Sequence, residues 1–172
     1  MDIKKRKFNG RGFTLIELLI VIAIIAILAA TIFVALDPLT RFQDSRDSRR
    51  WQDASAIATA INIDQVDNGG SYLTSIAALT TSSVYMIVDG GVVAGCDNQN
   101  TYCETNVTND GSCVDLSGLV VEGYLGDVAI SPDGSGTWTD SITGYTLQRH
   151  QNGTITVRAC EHENSSEIEL MR

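Results

Sequence analysis

One carboxylate stands inside an otherwise apolar stretch: of the 24 residues from Phe13 to Leu36, only Thr14, Glu17 and Thr31 are polar. An ionised acid in hydrocarbon costs roughly 2.5–3.5 kcal/mol on insertion scales, so Glu17 calls for a function and a cationic partner. Cys96, Cys103, Cys113 and Cys160 form an even set suited to two disulfides in an oxidising compartment. Their gaps of six, nine and 46 intervening residues lack the paired C-x₂₋₄-C spacing of a zinc site. Asp133 and Asp140 place oxygen ligands in one Gly/Ser-rich loop and are the candidates for calcium, at a spacing unlike an EF-hand. The imidazoles are His150, in a predicted hairpin turn, and His162, between Glu161 and Glu163 in a polar tail; both read as solvated surface. A nucleophile with its base, a paired acid system and a phosphate-binding loop are all missing from the pattern, and Asp89-Gly90-Gly91 reads as a turn, so no catalysis is expected. Asn106, Asn152 and Asn164 begin Asn-x-Ser/Thr triplets that permit glycosylation in a host with that machinery.

The elements that hold these groups follow from length and charge. A helix of 24 residues is about 36 Å long, enough for a hydrocarbon core of about 30 Å, so Phe13–Leu36 can cross a membrane. Before it lie Lys4, Lys5, Arg6, Lys7 and Arg11 against Asp2 alone, a net +4 in the first twelve residues. Residues 13–172 carry seven basic and twenty acidic residues, net −13, with no lysine. The positive-inside rule then sets the N-terminus in the cytoplasm and the remaining chain outside it. A surface this acidic repels phosphate backbones, and no direct nucleic-acid binding is expected. A cleaved secretory signal would need a shorter apolar run and an A-x-A-like site, whereas the nearest small-residue run is Ala29-Ala30-Thr31.

The stretch Arg11-Gly12-Phe13-Thr14-Leu15-Ile16-Glu17-Leu18-Leu19 resembles the class III leader junction of type IV pilins and pseudopilins. The resemblance implies cleavage between Gly12 and Phe13 by a prepilin peptidase, N-methylation of Phe13, and pairing of Glu17, the fifth mature residue, with the new α-amino group of a neighbouring subunit. Cleavage would remove the +4 leader and create the amine that the buried acid needs, a pair being tolerable where a lone buried charge is not. It further implies a structural subunit rather than an enzyme, made as a single-pass inner-membrane precursor and then extracted by an assembly ATPase and membrane platform into a surface filament. The partners are then other pilin subunits, the peptidase, the platform and the membrane. Two alternatives stay open: a minor pilin or pseudopilin of a type II secretion or DNA-uptake system, and a membrane-anchored binding protein that never polymerises. Motility, adhesion and secretion are not distinguished by these residues. Some pseudopilins bind calcium in a C-terminal loop like that of Asp133 and Asp140; no other cofactor is implied.

The resulting organisation is a leader at 1–12, a transmembrane and filament-core helix at 13–36, an amphipathic continuation at 37–66, and a β-rich head at 67–172. The fold class is α+β and pilin-like: a long N-terminal helix packed against a small antiparallel sheet. Asp37-Pro38 predicts a kink or interruption, Pro38 lacking an N–H and crowding the preceding turn; many family members kink about four residues earlier, where this chain has Val34. Thr40–Arg50 alternates in charge and reads as a solvated helix braced by pairs three residues apart. From Trp51 a stripe of Trp51, Ala54, Ile57, Ala58 and Ile61 predicts the face on which the head packs, and Asn68-Gly69-Gly70 ends the helix.

In the head, 84–88 and 92–94 read as a hairpin around Asp89-Gly90-Gly91, and the alternation of Tyr145–Arg149 and Ile155–Ala159 about Asn152-Gly153 as a second one. The order of a short segment near Tyr124-Leu125, a Ser131-Pro132-Asp133 loop and a closing hairpin also resembles the end of pilin heads. Of three possible disulfide pairings, Cys96–Cys103 with Cys113–Cys160 is favoured, the second tying the last strand to the central loop.

Overall fold

A computed structural model of the chain describes residues 12–172; residues 1–11, which make up most of the expected leader at 1–12, lie outside the described residues. The chain divides into two units, the first ending at Leu39 and the second running from Thr40 to Arg172.

The first unit is dominated by α1, Leu15–Leu36. It contains no buried residue, and an 18-residue window has mean hydropathy 3.2, so it is long and apolar enough to cross a membrane. The helix does not run unbroken to residue 66. Asp37 adopts a left-handed conformation (φ 36°, ψ 71°), and α2, Pro38–Asp67, starts at the next residue. Proline at 38 drives the residue before it out of the right-handed helical region, while its own fixed φ suits the first position of a new helix.

The second unit is an α+β head. Its five-stranded sheet comprises β1 (Val84–Val88), β2 (Cys113–Asp115), β3 (Tyr145–Arg149), β4 (Ile155–Ala159) and β5 (Glu169–Met171), in the order β2-β1-β3-β4-β5. All pairings are antiparallel except β1 with β2, where Met86 faces Cys113 in a parallel register. The predicted hairpin of 84–88 with 92–94 does not form. Residues 92–94 lie outside any strand, and the chain after β1 runs through a long loop and a 3₁₀ turn at Asn100–Tyr102 before β2 joins the same edge. A turn signal alone could not reveal that the partner lies 25 residues farther on, because parallel pairing needs a crossover.

The β3–β4 hairpin pairs Tyr145 with Ala159 and Arg149 with Ile155, and Gly153 supplies the positive φ of 85° at its turn. The core lies between α2 and one sheet face, joining Ala54, Ile57, Ala58 and Ile61 to Tyr145, Leu147, Ile155 and Val157, all essentially inaccessible to water. Trp51, expected on this stripe, is 38% exposed and outside the core. Leu116 and Leu119, from the residues around the short helix α4 (Ser117–Val121), and Ile76 of α3 (Thr74–Ala77) close the ends of that core. Gly69 and Gly70, with φ of 65° and 95°, terminate α2, the Gly70 N–H donating to Gln65 O at 2.7 Å.

The disulfides are Cys96–Cys113 and Cys103–Cys160, which corrects the favoured pairing. Cys96 and Cys113 close the long loop onto the start of β2, and Cys103 fastens the middle of that loop to the end of β4. Proximity along the sequence is a poor guide here because the chain returns to pair beside β1, which brings Cys113 to the first cysteine of the loop.

Candidate functional site

The first site is the N-terminal junction. Gly12, Phe13 and Thr14 are non-helical, and α1 begins only at Leu15. The Gly12–Phe13 bond therefore lies in non-helical chain ahead of α1, and Phe13 is 82% exposed. Thr14 caps α1 with extended backbone (φ −82°, ψ 152°). Its hydroxyl accepts the Glu17 N–H at 3.2 Å, while the Glu17 carboxylate accepts the Thr14 N–H at 2.9 Å and the Thr14 O–H at 2.8 Å. This reciprocal capping box satisfies two of the helix's free donors and places the negative charge at the positive end of the helix dipole. Glu17 is thus held by Thr14, four residues after Phe13. Sequence spacing places Glu17 four residues after Phe13; its use as a capping partner was missed, although T-x-x-E at a helix start is itself the signature.

The second site lies wholly within the head and was not foreseen. Arg50, fully buried, donates from Nη1 to Asp47 Oδ1 (2.8 Å) and Glu163 Oε1 (3.1 Å), from Nη2 to Glu161 Oε1 (3.0 Å) and Pro132 O (3.0 Å), and from Nε to Ser131 Oγ (3.2 Å). Arg46 makes a forked contact to the Glu163 carboxylate, its Nε at 2.6 Å from Oε1 and its Nη2 on Oε2. Glu161 is itself buried and accepts from Trp138 Nε1 (2.8 Å) and the Ser135 N–H (2.9 Å). Gly134 leaves the space this needs: a Cβ there would come within 2.9 Å of both Arg50 Nη2 and the Glu161 carboxylate.

Asp47 receives the chain that follows. Its carboxylate accepts N–H donors from Glu163 (3.0 Å), Asn164 (2.9 Å) and Ser165 (2.9 Å), plus the Ser165 hydroxyl (2.9 Å). Burial pushes its pKa up, but the backbone donors of Asn164, Ser165 and Glu163 outweigh it and hold the group at about 2. The Glu163 carboxyl is lowered first by its bonds to Arg46 and Arg50, against burial. Farther back, Asn164 Nδ2 donates to Thr40 O and Asp44 Oδ1, each at 3.2 Å.

These contacts revise several expectations. Thr40–Arg50 is not simply solvated: Asp47 and Arg50 are buried, and their partners come from residues 161–165 rather than from within the helix alone. The polar tail around His162 is a packed connection between β4 and β5, and His162 Nε2 lies 2.7 Å from Glu104 Oε1. His150 Nε2 lies 2.8 Å from Thr156 Oγ1. Asp133 Oδ1 accepts the Trp138 N–H at 3.0 Å, and the Asp140 carbonyl accepts the Asp89 N–H at 2.8 Å. Among the described residues no three His, Cys, Asp or Glu side chains converge as metal ligands. Alternating charge was the visible signal in Arg46, Asp47 and Arg50; its partners more than a hundred residues away were not readable.

Residues 7–33 match the model of the prokaryotic N-terminal methylation motif, and the match spans the junction and most of α1. Neither the curated proteins nor the solved structures compared with the chain gave a match. The motif match, the apolar helix and the α+β head together support a protein of the type IV pilin or pseudopilin type.

Proposed function

We propose that the chain is a prepilin: a structural subunit, without enzymatic activity, of a type IV pilus-like filament. Prepilin peptidase cuts between Gly12 and Phe13 and Phe13 is N-methylated; an assembly ATPase and inner-membrane platform then move subunits from lipid into the fibre. In the membrane the N-terminus faces the cytoplasm, and in the fibre the acidic heads face outward. The observation that carries this reading is the single carboxylate, Glu17, in an apolar helix with no buried residue, four residues after Phe13. In the isolated chain Thr14 satisfies it; in the assembly the α-amino group of Phe13 in a second copy replaces that capping bond with a charge-assisted one, which is stronger in a low-dielectric core.

The test combines N-terminal sequencing with one substitution. The mature chain should begin at methylated Phe13, and Glu17→Ala should be processed and membrane-inserted yet yield fibres reduced by at least about tenfold, the factor expected for losing roughly 1.4 kcal/mol per subunit contact. A chain that keeps Met1, or normal fibres from Glu17→Ala, defeats the reading; the former would make the protein an anchored head.

A further inference from the structure

We propose that the β4–β5 connection, residues 161–165, is a conformational latch that keeps the first turns of the head helix, Thr40–Arg50, folded. When it opens, these eleven residues become an unstructured tether while the rest of the head stays intact. The proposal does not depend on filament formation.

Three observations lead to it. First, Thr40–Arg50 has almost no apolar anchorage. Only Asp47 and Arg50 are buried there, and Phe42 is 65% exposed. The apolar core takes hold of α2 only from Ala54 onward. Turns at the end of a helix that lack apolar packing fray and open locally at little cost, even where the rest of the helix is anchored. Second, apart from Ser131 and Pro132 on Arg50, the contacts described for the segment from outside α2 come from one short connection. Glu163, Asn164 and Ser165 donate backbone N–H groups to Asp47, Glu161 and Glu163 pair with Arg50, Glu163 with Arg46, and Asn164 reaches back to Thr40 and Asp44. Third, the connection is held at both ends by the sheet. Cys160 N donates to Gly144 O at 2.8 Å, Cys160 is bonded to Cys103, and Ile168, fully buried, accepts from Ala159 N at 3.0 Å. Releasing the latch therefore leaves β4 and β5 in place.

The network suits a device with two states. Its members are charged and share partners, Arg50 with Asp47, Glu161 and Glu163, so a half-made arrangement strands buried charge. Open and closed are then the two stable conditions. Opening would let the segment lengthen from about 16 Å as helix towards about 36 Å when extended.

The test uses hydrogen exchange read by mass spectrometry on the full chain in detergent micelles. Asp47→Ala is the informative variant, because alanine is the better helix former and local propensity alone would raise protection. The latch predicts the opposite sign: amides of residues 41–50 lose protection by at least about tenfold, while those of β3 and β4 keep theirs. Unchanged or increased protection at 41–50 would overturn the proposal. If β3 and β4 also lose protection, the Asn164→Ala/Ser165→Ala pair, which removes only the Nδ2 donor and the Ser165 hydroxyl, decides. Several-fold loss confined to 41–50 supports the latch, and no change there rejects it.

Discussion

Asp47 carries more of the head's architecture than its place in a charge-alternating helix suggests. A carboxyl held at about 2 in the fold, against 3.8 in an open chain, is a folded-state value depressed below the unfolded one. Its contribution is fully present above pH about 4 and disappears as pH falls through about 2, amounting to roughly 2 kcal/mol. The melting temperature of the head should therefore fall between pH 4 and pH 2, and the fall should be clearly shallower in Asp47→Asn, which keeps the shape but cannot change its charge; thermal denaturation across that range measures both. Tyr145 shows the contrasting case, its phenol raised by burial first and then by Asp53, which accepts its O–H at 2.8 Å. It stays neutral across any practical range and contributes a plain hydrogen bond. Glu17 needed only its neighbours in sequence to be noticed. Asp47 needed residues 163–165, and nothing in a linear pattern marks which distant backbone will turn its N–H groups toward a given acid.

At the scale of elements, what sequence could show depended on how local the cause was. The Asn152-Gly153 hairpin, the glycine end of α2 and the break before Pro38 each arise from conformational limits within four residues, and each is where those limits put it. The β1–β2 pairing and both disulfides depend on a loop's path, which composition does not encode. That path gives unequal staples. Cys103–Cys160 joins residues 57 apart and Cys96–Cys113 residues 17 apart, so in chain-entropy terms they stabilise by about 4 and about 3 kcal/mol. Replacing each pair by serine should lower the urea midpoint of the head in that order, with the Cys103–Cys160 loss the larger. Equal losses would mean that residual order in the unfolded chain, rather than loop length, sets the effect.

Taken as a whole molecule, the protein divides its chemistry sharply: an apolar helix with one acid, and an acidic head whose cations are all arginines, with Arg46, Arg50 and Arg158 fastened to carboxylates. That exclusive use of guanidinium in residues 13–172 has an outcome for any processed form. Once the leader is gone, the chain holds one aliphatic amine, at Phe13. An acylating dye should then label each free subunit once, and subunits whose amine is shielded by a second copy's Glu17 hardly at all. The absence of lysine thus turns a bulk fluorescence reading into a direct census of buried chain ends.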